Sequence, residues 1–261
     1  MDLIVTTIYN PPEKIQAAAQ ALAAQLNATL IKREKNSIET LKNLYNVIYI
    51  LVATQSGPVV YTPGGQYFFH INMAELRINN IKIGKHDHMI TALGLTPGAS
   101  VLDCTLGLGT DAIVASFVAG PSGKVIGLEN SPIIAAITRL GLDQYNAANE
   151  TVTTAMRRIQ VETADYNNFL TTLPAKSFDV VYFDPMFRAP VYSSSNLKPI
   201  RTLADDRPLS IEAVKQACRV ARMRVVIKET KRSKEFSRLG ITTILGGKYS
   251  SVHYGVMEVG G

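Results

Sequence analysis

From Ser100 onward the chain repeats one unit: a short apolar run, an acidic residue at or just past its end, a turn, and a segment of helix length. The apolar runs are Val101–Asp103, Lys124–Leu128, Ile159–Glu162, Phe178–Phe183 and Val225–Lys228, with Asp111–Val118, Pro132–Tyr145 and Ile211–Ala221 as helices between them. Strands buried on both faces read as continuous apolar stretches, and their alternation with helices predicts an α/β fold with a doubly wound, mainly parallel sheet. All strand ends of such a sheet open onto one edge, which is where ligands bind. Asp103, Glu129, Asp165 and Asp184 would therefore meet there. The end of the chain breaks the pattern: Ile241–Leu245, Gly246-Gly247 and Val252–Val259 predict a closing antiparallel hairpin.

The first seventy residues predict a small α/β unit of their own, so the expected division is 1–70 and 71–261. Leu3–Ile8 suits a strand, and Pro11-Pro12 opens a helix through Ala28, proline being tolerated in a first helical turn. Thr29–Lys32 suits a second strand. Ser37–Tyr45 suits a helix with Ser37 as its N-cap. Val47–Ala53 and Val59–Tyr61 suit paired strands across Ser56-Gly57-Pro58, and Thr62–Gly65 suits a linker. Ala74–Ile83 and Lys85–Leu93 then suit two short helices.

Charge and cysteine content narrow the function classes. Residues 180–261 hold 14 Lys and Arg against 7 acids, whereas residues 91–179 hold 5 against 8. A positive excess after Asp184 suits a polyanionic substrate, and equally a solvated basic surface. No apolar run approaches the ~20 residues of a membrane span, and the N-terminus lacks the pattern of a signal peptide. Two cysteines, Cys104 and Cys218, make neither a disulfide framework nor a zinc site, which suits a reducing cytoplasm.

The strand ends carry the chemistry. In Val101-Leu102-Asp103-Cys104-Thr105-Leu106-Gly107-Leu108-Gly109-Thr110-Asp111-Ala112, Gly107 and Gly109 allow a tight turn and close approach of a ligand. Gly107-x-Gly109-x-x-Ala112 also satisfies the dinucleotide fingerprint, so an NAD-linked oxidoreductase is a competing expectation. Asp103 argues against it, because a carboxylate repels a pyrophosphate yet can receive the ammonium of a methionine moiety. Glu129 can accept both hydroxyl hydrogens of a ribose. Asp165 can accept an adenine amino hydrogen or simply cap the following turn.

Phe178-Asp179-Val180-Val181-Tyr182-Phe183-Asp184-Pro185-Met186-Phe187 is the most specific segment. An exocyclic amine of a base is a poor nucleophile because its lone pair is delocalised into the ring. Asp184 and the carbonyls around Pro185 can bind the amine hydrogens and draw the nitrogen towards tetrahedral geometry. Phe187 can stack on an extruded base.

Together VLDCTLGLGTDA, GLEN, TAD and YFDPMF resemble the class I S-adenosylmethionine-dependent methyltransferases. DPMF and GLGxDA most resemble the J-type small-subunit ribosomal RNA guanine-N2 methyltransferases. The resemblance covers about residues 100–190. It implies S-adenosyl-L-methionine as cofactor, contacts to it at Thr110, Asp111, Glu129, Asn130, Ala164, Asp165 and Asp184, and ribosomal RNA as substrate. The chain departs from that family with Thr110 and Asn130 where arginines are usual, and in its N-terminal unit. Methylation of DNA adenine or of a small molecule, and a non-catalytic RNA-binding role, are the other expectations.

Other features carry less. His86-Asp87-His88 suggests metal ligands, but residues two apart on a helix do not share a face, so no metal is expected. Cys104 beside Asp103 suggests a thiolate nucleophile, but no cysteine neighbours Pro185, where such a nucleophile is expected, so Cys104 suits a small packed residue. Ser193-Ser194-Ser195 with Lys198, Arg201 and Arg207 suits a loop that closes over substrate or grips phosphate, and equally a disordered surface segment. Lys231, Arg232, Lys234 and Arg238 suit a nucleic-acid backbone contact or a solvated helix face.

Overall fold

The computed structural model describes residues 2–185 and 199–260. Met186, Phe187, Ser193-Ser194-Ser195 and Lys198 lie outside the described residues. Two sheets carry the fold. The smaller is built from β1 (Leu3–Thr7), α1 (Glu13–Gln25), β2 (Thr29–Leu30), α2 (Ile38–Tyr45), β3 (Tyr49–Thr54), β4 (Gly57–Thr62) and β5 (Gly65–Phe68), in the order β2-β1-β3-β4-β5. β1 runs parallel to β2 and β3, and β3, β4 and β5 form an antiparallel meander. The Ser37 hydroxyl accepts the Thr40 N–H at 3.0 Å, and Asn46 in the left-handed region ends α2. Thr62–Gly65 is not a linker. It is the tight turn that adds β5 to the sheet, with Thr62 paired to Gly65.

α3 (Asn72–Lys82) and α4 (His88–Leu93) lead into the larger sheet. Its elements are β6 (Ser100–Asp103), α5 (Thr110–Ala119), β7 (Lys124–Glu129), α6 (Pro132–Gln144), α7 (Glu150–Arg157), β8 (Ile159–Thr163), α8 (Tyr166–Thr172), β9 (Phe178–Phe183), α9 (Ile211–Val220), β10 (Ala221–Thr230), α10 (Glu235–Arg238), β11 (Thr243–Leu245) and β12 (Val252–Glu258). The strand order is β11-β12-β10-β9-β6-β7-β8, a Rossmann-like doubly wound sheet. β6 to β10 are mutually parallel. The closing hairpin forms as expected, but β12 slots between β10 and β11, antiparallel to both. β11 therefore points the same way as the parallel strands. The order reverses direction between β6 and β9, and that switch point opens the crevice in which the site lies.

All five strands of the small sheet lie within residues 1–70, and all seven of the large sheet within 71–261. Their cores are continuous. Val5, Leu22, Leu51, Val60 and Tyr67 pack in one cluster with Ile133, Ile134 and Ile137 of α6. α6 thus covers the large sheet with one face and meets the small sheet with the other. The contact is close at Gly141, where an added Cβ would lie 2.0 Å from the Phe69 ring. Alanine in a helix interior ordinarily gains about 1 kcal/mol over glycine, but overpacking costs about 1–3 kcal/mol. Gly141→Ala should therefore lower the urea unfolding midpoint, with a net loss of about 1 kcal/mol and an unchanged denaturant slope.

Candidate active site

The strand ends lie along one edge of the sheet, and the carboxylates of Asp103, Glu129 and Asp165 are each held by a nearby backbone N–H. The Thr105 N–H donates to Asp103 Oδ1 at 3.0 Å. Gly107 and Gly109 both adopt positive φ, 54° and 76°, where a side chain would be strained. The turn they form is pinned on two sides: the Gly107 N–H donates to Glu129 Oε2 at 3.0 Å, and the Thr138 hydroxyl donates to the Gly107 carbonyl at 2.6 Å. Glu129 also accepts the Ser131 N–H at 2.8 Å, so its carboxylate is oriented before any ligand arrives. The Ala164 N–H donates to the Glu129 carbonyl at 3.0 Å. Asp165 caps α8 through the Asn167 N–H and receives the Arg207 guanidinium at 2.9 Å.

Asp184 lies at the end of β9, its N–H donating to the Thr105 hydroxyl at 2.5 Å. Its Oδ2 accepts the Lys228 ammonium at 2.7 Å, and the same ammonium reaches Asp111 Oδ2 at 3.0 Å. The Tyr182 hydroxyl donates to that oxygen at 2.7 Å, while Arg77 from α3 reaches Asp111 Oδ1 at 2.5 Å. Arg77 then grips Asp87 with Nε and Nη2 at 2.8 and 3.0 Å.

A cavity of about 850 Å³ occupies this edge, within the range of small-molecule and cofactor sites. Asp103, Gly107, Thr110, Asp111, Glu129, Asn130, Asp184 and Pro185 line it. Gly109, Ala164 and Asp165 are not among its lining residues; Gly109 shapes the turn, and Arg207, which holds Asp165, does line the cavity. Phe187 lies outside the described residues. The opposite wall comes from the small sheet, including Tyr67 and Phe68 of β5. Burial and then the Glu129 charge raise the Tyr67 phenol well above its usual range, and its hydroxyl is buried with no hydrogen-bond partner among the described residues.

Protonation is strongly biased here. Burial, then the charges of Asp111 and Asp184, push the Asp103 carboxyl up to about 8 against the opposing Thr105 N–H. Burial also raises Glu129, opposed by the Ser131 and Gly107 N–H groups. Burial disfavours ionised Asp111 as well, but Lys228 and Arg77 outweigh it and hold that carboxyl well below the usual range. Lys228, buried between two acids, stays protonated.

Lys228, Arg77 and Tyr67 were not among the expected site residues. Lys228 carries the same signal as the acids, a charged residue closing an apolar strand run. Arg77 and Tyr67 carry none, since their roles depend on how α3 and β5 dock. His86 and His88 do not lie within one helix: Asp87 is the cap before α4, and the two imidazoles are in contact, with ring centroids 4.6 Å apart. Among the described residues no group of three or more His, Cys, Asp or Glu is arranged to hold a metal, and no helix is long and apolar enough to cross a membrane. Cys104 is packed in the core, where burial raises its thiol well above the ordinary value.

The basic excess after Asp184 is partly structural. Arg222 pairs with Asp179 at 3.0 Å and Arg224 with Glu258 at 3.0 Å, and Arg219 donates to the Leu170 and Leu173 carbonyls. Arg222 and Arg224 sit in the first half of β10, towards the sheet edge opposite the cavity.

A family model described as "Putative SAM-dependent methyltransferase" matches residues 67–250. The chain belongs to this methyltransferase family. S-adenosylmethionine is its methyl donor, and the NAD-linked alternative is set aside. The methyltransferase is 37% identical to the uncharacterized protein YpiP of Bacillus subtilis, over 98% of this chain and 99% of that one. It is 28% identical to the ribosomal RNA small subunit methyltransferase J of Coxiella burnetii, over 93% of this chain and 92% of that one. The solved structure of the SAM-dependent methyltransferase NGO1261 from Neisseria gonorrhoeae shares its fold, with a TM-score of 0.67 at 16% identity over 97% of this chain and 95% of that one.

In this methyltransferase Lys228 joins the buried Asp111 to the half-buried Asp184. Removing one partner of such an arrangement leaves uncompensated charge and costs about 3 kcal/mol. Lys228→Met should show that loss in urea unfolding at pH 7, and adding Asp184→Asn to it should recover part of the stability.

Proposed function

We propose that this methyltransferase transfers the methyl group to an exocyclic base amine of nucleic acid, guanine N2 of ribosomal RNA, in the cytoplasm. The observation that carries this reading is Asp184-Pro185 at the β9 tip, opening on the cavity that Asp103 and Glu129 also line. The name of the Coxiella burnetii relative points the same way. When bound, S-adenosylmethionine supplies an electrophilic methyl group. The donor set fits it. Asp103 suits the ammonium, Glu129 the ribose hydroxyls, and the Gly107–Gly109 turn admits close approach. Thr110, Asp111 and Asn130 complete the proposed contacts, with Ala164 and Asp165 at the adenine. The unpartnered Tyr67 hydroxyl beside Glu129 is a further donor awaiting an acceptor.

On the substrate side, Asp184 accepts an amine hydrogen and the Pro185 carbonyl region a second. Both hold the nitrogen lone pair towards the donor while Phe187 stacks on the base. As the new carbon–nitrogen bond forms, the nitrogen carries a positive charge that the Asp184 carboxylate stabilises, and its proton then leaves to solvent. Catalysis is chiefly positioning and electrostatics. Asp184→Asn should lower the rate of transfer to small ribosomal subunits from a strain lacking this protein by about 100-fold, with S-adenosylhomocysteine affinity within about threefold. A product other than N2-methylguanosine, or full activity of the variant, overturns the reading.

Asp103 gives a separate check. Its folded pKa of about 8 lies above the ordinary carboxylate value, so the ligand-free protein holds that proton at pH 7. The native state binds more protons than the unfolded chain between about pH 4 and 8, so this group's contribution to stability declines as pH rises through that window. An arriving ammonium favours the carboxylate. Donor binding at pH 7 should release about one proton, measured by calorimetry in buffers of different ionisation enthalpy, and Asp103→Asn should abolish the release.

A further inference from the structure

The sheet edge is charged differently on its two sides. Around the ends of β7 and β8 stand the acids Glu129, Asp165 and Asp205, the last two both paired to Arg207. Beyond β10 the edge is basic. Thr230 at the end of β10 pairs with Val252 at the start of β12, so residues 246–251, which join β11 to β12, lie on the cavity's edge of the sheet. Lys231 follows directly and ties the two segments together: its N–H donates to the Ser251 carbonyl and its ammonium to the Lys248 carbonyl, both at 2.9 Å. Arg232, Lys234 and Lys248 are exposed beside it. Tyr249 is 92% exposed, with the Lys248 ammonium 5.4 Å from its ring centroid.

The same loop rests against the segment before α4. A Cβ on Gly247 would lie 2.8 Å from His88 Nε2, and the His88 ring contacts that of His86. Lys85, His86 and His88, with Ser250 and Tyr254, line a hollow of about 270 Å³ backed by Arg77. Nearby acids are already engaged. Asp87 is held by Arg77, Glu229 by the Thr230 N–H, and Glu235 by Arg238. The chain of ion pairs Arg77–Asp111–Lys228–Asp184 runs from the back of this hollow to the catalytic cavity.

We propose that this shelf is the binding track for the RNA strand that carries the target base. Phosphates flanking that base lie in the Lys85–His88 hollow and along Lys231 and Lys248, and a neighbouring unpaired base stacks on Tyr249. Lysines supply the sequence-independent backbone term, and an exposed aromatic ring supplies a stacking platform available to bases outside a duplex. The track rests on the RNA reading above and deepens it.

The test uses the full chain with naked small-subunit ribosomal RNA, titrated in increasing salt, alongside methyl transfer to small ribosomal subunits. Lys85→Ala with Lys248→Ala should reduce the slope of log affinity against log salt by about 1.4–1.8, the contribution of two phosphate contacts. Tyr249→Ala should weaken RNA binding about tenfold. All three residues are exposed, and S-adenosylhomocysteine affinity should stay as in the parent. Unchanged salt slope and unchanged RNA affinity in all variants, with the parent binding and methylating RNA, overturn the track while leaving the Asp184 reading intact. A parent that binds the donor but neither binds nor methylates RNA overturns both. Variants weakened for RNA in a protein whose Asp184→Asn form remains fully active uphold the track and overturn the Asp184 reading. Tighter binding of single-stranded DNA of the same sequence overturns the assignment to RNA.

Discussion

Lys228 enters the catalytic edge from β10 with its ammonium between Asp111 and Asp184, and Arg77 reaches the same Asp111 from α3. Both carboxylates touch one nitrogen, at 3.0 and 2.7 Å, so their bonded oxygens lie within about 6 Å of each other. At an effective dielectric of about 20, two like charges at that distance repel by about 3 kcal/mol. Each cation converts that repulsion into attraction, and each arrives from a different element. The network therefore fastens α3, α5, β9 and β10 at the point where the strand order reverses. Burial raises Asp103, which makes no ion pair among the described residues, and its proton is retained, while Lys228 and Arg77 keep the equally buried Asp111 ionised.

The small sheet is part of the same construction. α6 presents Ile133, Ile134 and Ile137 to it, Gly141 lets Phe69 approach the helix backbone, and β5 then passes along the cavity. Tyr67 is the consequence. Its ring is core to the small sheet, while its hydroxyl is delivered beside Glu129 on the large one. One side chain thus joins the packing of the N-terminal unit to the chemistry of the strand tips. A loss of register in β5 would turn that ring to the other face of the sheet and remove a wall of the cavity.

The sequence made the strand tips legible because parallel strands are buried on both faces. Their apolar runs end abruptly, and the first polar residue marks the edge. Asp103, Glu129 and Asp184 follow from that rule, and so does Lys228, a basic residue closing the Val225–Lys228 run. α7 was less visible: Thr151, Val152, Thr153 and Thr154 have poor helix propensity, and its buried stripe is only Val152, Ala155 and Met156. β5 offers one inward side chain, Tyr67, in four residues that begin with glycine. The insertion of β12 between β10 and β11 is a matter of spatial order, which a hairpin signature does not encode. Arg77 belongs to the same class, since nothing near position 77 announces Asp111. Charge was legible as a count and not as a map, because Arg219, Arg222 and Arg224 serve the fold rather than a ligand.

That map matters because the proposed reaction brings together a cationic donor and a polyanionic strand. A uniformly basic edge would attract the RNA and repel the sulfonium, and a uniformly acidic one would do the reverse. The edge of this sheet instead runs from Glu129, with Asp165 and Asp205 sharing Arg207, on one side to Lys231, Lys248 and Lys85 on the other. The Arg77–Asp111–Lys228–Asp184 network, two cations against two carboxylates, lies between them and is close to neutral. Asp184 stands at that boundary. There a carboxylate can face the developing charge on an amine without dominating the field felt by either partner, because Lys228 compensates most of it beforehand. A group held this way costs little reorganisation at the moment of reaction, which is the condition under which preorganised charge is effective.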